Sequence, residues 1–89
     1  MENLNLRKFL LLSRYGDKRF LQEIEPEIFK LVGDIDHMRI IYDKDSHINA
    51  IDPPGGPMIS VGTFVKNKIF IKSIDFNKEA GDFLFYTEG

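Results

Sequence analysis

The sequence predicts an α+β fold that is mainly β: a small antiparallel sheet curled towards a barrel, with a short N-terminal helical segment packed on it. One observation is the stretch Asp52–Pro57, whose three prolines cannot continue a helix or a central strand. Another is the pair of strand-like runs Met58–Val65 and Lys68–Phe76. Lys66-Asn67 separates these runs, a spacing typical of a two-residue hairpin.

The chain has 89 residues, which we interpret as a single small domain spanning residues 1–89. Its eight Phe and three Tyr residues supply the large apolar area that a small core needs. We expect one core of marginal stability, because a chain this short buries only about 60–65% of its unfolded surface.

The N-terminal residues 1–16 fit two patterns. Leu6, Phe9 and Leu10 lie at helical spacing, and Asn5 is a suitable N-cap, which favours a short helix. Leucines at even-numbered positions also alternate as in a strand, so the strand alternative stays open. Tyr15–Lys18 reads as the stop of this element or as a turn.

Residues 19–33 are divided by Pro26. Leu21 and Ile24 follow a helical spacing that predicts a helix ending near Glu25, because proline breaks a helix. The short apolar run Ile28–Val32 predicts a strand after the proline.

From residue 34 the pattern becomes β-like. In His37–Asp43, alternation places Met38, Ile40 and Tyr42 on one face of a strand. A polar turn over 44–47 follows, and Ile48–Ile51 predicts a brief strand before the proline-rich stretch.

The C-terminal third predicts strands that are apolar on both faces. Ile69–Ile71 indicates a central strand or a bulge with Phe70 in the core, and Gly62 fits strand curvature. After a loop over 77–81, Phe83–Thr87 predicts a last strand. Its second apolar face requires cover, either from the N-terminal segment or from a partner chain.

Charge and cysteine usage narrow the function. The net charge is −2, which argues against nucleic acid as the main partner. The chain has no cysteine, which excludes disulfides and thiolate sites and favours a reducing compartment, so we expect a cytoplasmic protein. We expect no secretory signal and no membrane span, because Phe9–Leu12 is too short an apolar run for either.

The turn-rich stretch is the first candidate site. Backbone N–H groups of successive glycines can bind an anion, and a rigid loop can present a binding surface. A connector between strands is the preferred interpretation, because no phosphate-loop pattern is present. The candidate binding residues are Asp52, Pro53, Pro54, Gly55, Gly56 and Pro57.

A metal site is the second candidate. Asp43-x-Asp45-x-His47 resembles the start of a calcium loop, but Ile48 stands where glycine is required and Pro54 where the bidentate glutamate belongs. We therefore predict a solvated acidic loop with no metal and no cofactor.

We predict no enzyme activity. The serines lack a Gly-x-Ser-x-Gly motif, and 89 residues leave little room for a catalytic pocket of about 300 Å³ or more. A serine–histidine–acid triad need not be visible in the sequence, so a small hydrolase or metal enzyme is retained as the second alternative.

The N-terminal stretch carries five basic residues interleaved with aromatic residues. Such a pattern is compatible with a nucleic-acid surface, although the solvated face of an N-terminal element explains it as well. This alternative function depends on Arg7, Lys8, Arg14, Lys18 and Arg19.

The preferred function is a small non-catalytic binding or structural module that docks to another protein or self-associates. The doubly apolar last strand suggests a sheet edge or interface, where a second copy could add a strand across a two-fold axis. The candidate interface residues are Phe83, Phe85 and Tyr86.

Overall fold

The computed structural model describes residues 20–32, 35–54, 58–64 and 69–88, which form one antiparallel sheet of eight strands. The main path has the order β1-β2-β8-β7-β4-β3, with β5 beside β4 and β6 beside β7, and the sheet is not closed into a barrel. The described residues contain no helix, and the helix predicted within residues 1–16 lies outside them. The strands are β1 Phe20–Glu25, β2 Ile28–Val32, β3 Arg39–Tyr42, β4 Ile48–Asp52, β5 Ile59–Ser60, β6 Gly62–Phe64, β7 Ile69–Asn77 and β8 Asp82–Thr87.

The helix predicted before Pro26 is wrong, because that segment is β1 and forms a hairpin with β2. Pro26 followed by Glu27 with φ 83° has the order of a type II turn, in which proline sets the first φ and the second is positive. The β1–β2 register shifts between Glu23 and Glu25, so Ile24 is an extra residue. Ile24 is 52% exposed and does not share the buried face of Leu21, so their three-residue spacing is not that of one helix face. The strand predicted after Pro26 is confirmed.

The strands β3 and β4 confirm the β-like pattern from residue 39 to residue 52. The predicted face of β3 is partly wrong: Met38 and Ile40 pack against the core, but Tyr42 is 57% exposed. Tyr42 is the last residue of β3, where the chain leaves the sheet for the polar turn over 44–47. The register shift after Ile41 places its extra residue, Asn49, in β4, so it alters the alternation of β4.

The proline-rich stretch joins two antiparallel strands, as a connector should. Ala50 pairs with Ser60 and Ile51 with Ile59, so the chain reverses direction between β4 and β5. Residues 55–57 lie outside the described part, and the turn type predicted at Gly55 stays a prediction.

The strand predicted over residues 58–65 is split into β5 and β6 at Val61. Gly62 has φ 122°, a conformation that residues with a side chain rarely adopt, so the chain bends there as its glycine indicated. The predicted pairing across the next turn is confirmed, with Thr63 opposite Phe70. The Lys66-Asn67 turn itself lies outside the described residues.

Strand β8 lies in the middle of the sheet, so a sheet-edge position for Phe83–Thr87 is wrong. It pairs with β2 on one side and β7 on the other, and Phe85 faces both Phe29 and Ile74.

The predicted core position of Phe70 is also wrong, because this side chain is 44% exposed. The buried core contains Leu21, Phe29, Leu31, Ile51, Ile59, Phe64, Ile71, Ile74, Phe83 and Phe85.

The loop predicted over residues 77–81 connects β7 to β8. The side-chain oxygen of Asn77 accepts the N–H groups of Glu79 at 3.1 Å and Ala80 at 3.2 Å, and Gly81 has φ 73°. An asparagine that bonds its own turn and a glycine with positive φ are typical of such loops.

Candidate functional site

Two residues of the candidate site Asp52–Pro57 make contacts within the sheet itself. The Asp52 carboxylate accepts a hydrogen bond from Arg39 Nη2 at 2.8 Å, an ion pair between β3 and β4. Pro53 is buried and Pro54 is exposed, while Gly55, Gly56 and Pro57 lie outside the described residues. Anion binding by this stretch stays a prediction.

The three candidate interface residues do not share one surface. Phe83 and Phe85 are 2% and 0% exposed on the core face of β8, whereas Tyr86 points to the opposite face and pairs with Ile28. On that opposite face Leu84 and Tyr86 are half-buried. Contact of this segment with a partner chain stays a prediction. Only the face of β8 that carries Leu84 and Tyr86 is accessible for such a contact.

The five basic residues proposed for nucleic acid lie between residues 7 and 19, outside the described part. Nucleic-acid binding therefore stays a prediction as well.

Among the described strands, β1 and β3 form the two ends of the main path. Natural sheets protect their edges with bulges and charged side chains, and β1 has both, since its bulge at Ile24 stands between Glu23 and Glu25. Strand β3 itself contains no bulge, because the extra residue of the β3–β4 pair lies in β4, and β3 ends in the exposed Tyr42. The sequence does not reveal this edge, because strand order depends on pairings far apart in the chain.

The backbone of β3 presents Ile40 to the open side. The carbonyl of Asn49 accepts the N–H of Val61 at 2.9 Å, so the backbone N–H and C=O of Asn49 point towards β5. Alternate residues of a strand point their backbone groups to the same side, so those of Ile51 also point towards β5. Ala50 therefore directs its groups to β3 and to its register partner Ile41. Ile40 lies opposite Ile51 without bonding it, and its N–H and C=O point away from β4.

The loop between β3 and β4 is organised by Asp43. Its Oδ1 accepts the N–H groups of Asp45 at 2.8 Å and His47 at 2.9 Å. The hydrogen bond from the His47 N–H is the main cause that lowers the pKa of Asp43 below its ordinary value of 3.8. Desolvation opposes this shift, and the Asp45 N–H and the charge of His47 lower the pKa further. Ser46 has φ 67° in the tight turn that these bonds close.

The Asp43, Asp45 and His47 side chains each offer one ligand atom, and these atoms lie within 4.8 Å of one another. They are the residues of the described part that could hold a metal. All three are exposed, and Asp43 Oδ2 lies 3.8 Å from His47 Nδ1. The hydrogen bonds to Asp43 Oδ1 already account for the loop's conformation, and the predicted absence of a metal stays a prediction.

A polar cleft of about 470 Å³ adjoins this loop. It lies where β4 and β7 separate, because the two strands pair only at Ile48 and Ile74. Three irregular positions line it: the bulged Asn49, Val61 at the break between β5 and β6, and Lys72 at a register shift in β7. The remaining polar lining residues are Asp43, Ser46, His47, Ser73 and Asp75.

The sequence does not reveal that these residues come together, since register shifts in β4 and β7 and the break between β5 and β6 assemble the cleft. Gly62, next to Val61, was the one local signal of irregular structure there.

Comparison with known proteins gives no match, whether to a family model, to a curated protein or to a solved structure. Within the described residues, no helix has the length and apolar character needed to cross a membrane.

Proposed function

We propose that this protein is a small non-catalytic binding module that docks to another protein, or to a second copy of itself, by adding a strand to β3. The observation that supports the proposal is the outward-directed backbone of Ile40 at an edge that no described strand covers. An extended chain that pairs with such an edge gains main-chain hydrogen bonds, and alternate side chains supply specificity.

The side chains next to this backbone suit a protein partner. Tyr42 is 57% exposed, and the Arg39 side chain is 72% exposed although it pairs with Asp52. Tyrosine and arginine are the residue types that most often dominate binding energy at protein interfaces. The β3 edge therefore combines a backbone available for strand pairing with two side chains that contribute strongly to binding when a partner protein buries them.

The test compares Tyr42→Ala with Phe70→Ala. Both residues are exposed aromatics on strands, but Phe70 lies on β7, which has neighbours on both sides. We expect wild type and Phe70→Ala to self-associate in a concentration series by sedimentation velocity, and Tyr42→Ala to do so at least about tenfold more weakly.

A hetero-partner is tested with the same three proteins used as affinity baits. We expect at least one protein to co-purify with wild type and Phe70→Ala but not with Tyr42→Ala. The proposal fails if the wild type is monomeric at high micromolar concentration and all three baits retain the same proteins.

Three finer predictions belong to the proposal. Residues 1–16 form a short helix packed on the sheet, the sheet curls towards a barrel, and the protein works in the cytoplasm. A cysteine-free chain supports a reducing compartment. The bulges in β1, β4 and β7 support curvature, because each one bends its strand and increases the local twist.

A further inference from the structure

The polar cleft between β4 and β7 is separate from the proposed docking edge. Its base is the point where β4 and β7 part, and Val61 lies between them at the break from β5 to β6. On the side of β7 that faces β4 and β6, the register passes from Ile71 to Ile74, so Lys72 and Ser73 have no facing residue there. Bulged strands commonly occur next to binding sites, where they redirect side chains.

The charges in the cleft have both signs. Asp43 and Asp75 are carboxylates and Lys72 is an ammonium group, and all three are exposed to solvent. Asp43 Oδ1 is held by two backbone N–H groups, which fixes the orientation of the carboxylate. Its Oδ2 lies 3.8 Å from His47 Nδ1, beyond hydrogen-bond distance, and can accept a hydrogen bond from a ligand. Hydrogen bonds from the backbone also keep this carboxylate ionised, since they lower its pKa.

The rest of the lining adds hydrogen-bonding groups and an apolar surface. Ser46 and Ser73 supply hydroxyl groups, which both donate and accept hydrogen bonds. Val61 is exposed and Ile48 is half-buried, so these two side chains supply aliphatic contact area in the same cleft, whereas Ile74 belongs to the core. The cleft is more polar than most small-molecule sites, but its volume of about 470 Å³ lies in their range of roughly 300–1,000 Å³.

We propose that this cleft binds a small aliphatic zwitterion with one ammonium group and one carboxylate, the chemistry of a free aliphatic amino acid. The ligand ammonium contacts Asp43 Oδ2 and Asp75, and its carboxylate contacts Lys72 and a serine hydroxyl. The aliphatic part packs on Val61 and on the exposed part of Ile48. A purely cationic ligand leaves Lys72 opposed by a like charge, and a purely anionic one is repelled by two carboxylates.

The test is a titration of the ¹⁵N-labelled protein with L-valine, followed by amide NMR shifts. We expect saturable shifts confined to residues 43–49, 61 and 72–75, with a dissociation constant on the order of 1 mM, as suits so small a ligand. Isobutylamine and isovalerate, which each lack one charged group of valine, should bind at least about tenfold more weakly.

Lys72→Met and Asp75→Asn should each weaken L-valine binding at least about tenfold while the rest of the spectrum is unchanged. Lys78→Met is the matched control, because Lys78 lies in the turn after β7 and does not line the cleft. The proposal is overturned if L-valine gives no saturable shift up to about 10 mM. Equal binding of either analogue, or an equal loss in Lys78→Met, overturns it too.

Discussion

Asp43 shows how one side chain can define a turn in this protein. Its Oδ1 accepts two backbone N–H groups, and its own N–H donates to the carbonyl of His47 at 2.9 Å. These bonds close the loop so tightly that Ser46 is held at φ 67°. The same carboxylate borders the polar cleft, so the residue that shapes the turn also places a negative charge there.

Replacing Asp43 tests this role. We expect Asp43→Ala to lower the melting temperature, because the N–H groups of Asp45 and His47 lose their acceptor. Asp43→Asn should lose less, since an amide oxygen accepts the same hydrogen bonds. Equal melting temperatures of wild type and Asp43→Ala would contradict the assigned turn.

The pKa of Asp43 predicts a pH dependence with a definite sign. Because this pKa is lowered in the folded protein, the ionised carboxylate stabilises the fold above the unfolded value of 3.8. That contribution is lost as the pH falls through the lower, folded pKa. Thermal melts at decreasing pH should therefore show the advantage of wild type over Asp43→Asn shrinking below pH 3.8. If the difference in melting temperature between wild type and Asp43→Asn stays constant across that pH range, the lowered pKa of Asp43 is contradicted.

Phe85 and Phe70 form a second comparison between single residues. Phe85 is fully buried on β8 and Phe70 is 44% exposed on β7. We expect Phe85→Ala to lower the free energy of unfolding by about 3–5 kcal/mol and Phe70→Ala by about 1 kcal/mol or less. Urea unfolding measures both, and Phe85→Leu supplies a milder variant if Phe85→Ala does not fold. Similar losses in Phe70→Ala and Phe85→Leu would contradict the burial of these rings.

At the level of strands, bulges and bends decide which side chains reach the core. The extra residue Asn49 in β4 lets Ile48 and Ile51, three positions apart, both pack in the core. Lys72 does the same for Ile71 and Ile74 in β7. A regular alternation would place two such residues on opposite faces of the sheet. The cleft arises from the same cause, at Asn49 and Lys72.

Local signals in the sequence predicted the strands from residue 39 onwards, the connector after Asp52 and the bend at Gly62. These features depend on proline, glycine and alternation over a few residues, which act locally. Strand β1 was missed because Leu21 and Ile24 lie at helical spacing in the sequence, and pairing with β2 outweighs that local pattern. The central place of Phe83–Thr87 and the assembly of the cleft depend on strand order and register, which no short segment contains.

Gly62 and Gly81 test how much the bends contribute. A Cβ at Gly62 would meet no atom within 4 Å, so the cost of Gly62→Ala comes from the backbone at φ 122°. We expect a loss of about 1–3 kcal/mol. At Gly81, φ 73° is nearer the left-handed region that other residues sometimes adopt, and a Cβ would lie 3.7 Å from Ile35 Cδ1, an ordinary contact. Gly81→Ala should therefore cost about 1 kcal/mol and less than Gly62→Ala.

Thermal and urea unfolding of the two alanine variants give the comparison directly. If Gly62→Ala proves as stable as wild type, the break between β5 and β6 does not require a positive φ at that position. If Gly81→Ala is the more damaging of the two, the order of backbone strain proposed here is reversed.

On the scale of the molecule, β8 links the two halves of the sheet. The β1–β2 hairpin is joined to β7, and through it to β4 and β3, by β8 alone among the described strands. Lys30 and Asp82 form an ion pair of 2.9 Å between β2 and β8, beside the contact of Phe29 with Phe85. The last described strand along the chain is therefore the one whose loss would divide the sheet.

Native-state hydrogen exchange tests this arrangement along the whole chain. Amides of Leu84 to Tyr86 should exchange slowest, because β8 has hydrogen-bonded neighbours on both sides and opens only with the whole sheet. In β3 the amide of Ile40 should exchange at least about 100-fold faster than that of Ile41, since only the second points towards β4. Equal protection of Ile40 and Ile41 would show that another segment covers this edge and would remove the surface proposed for docking. Fast exchange at alternate residues of β8 would instead mean that β8 is an edge strand, and the strand order described here would have to be abandoned.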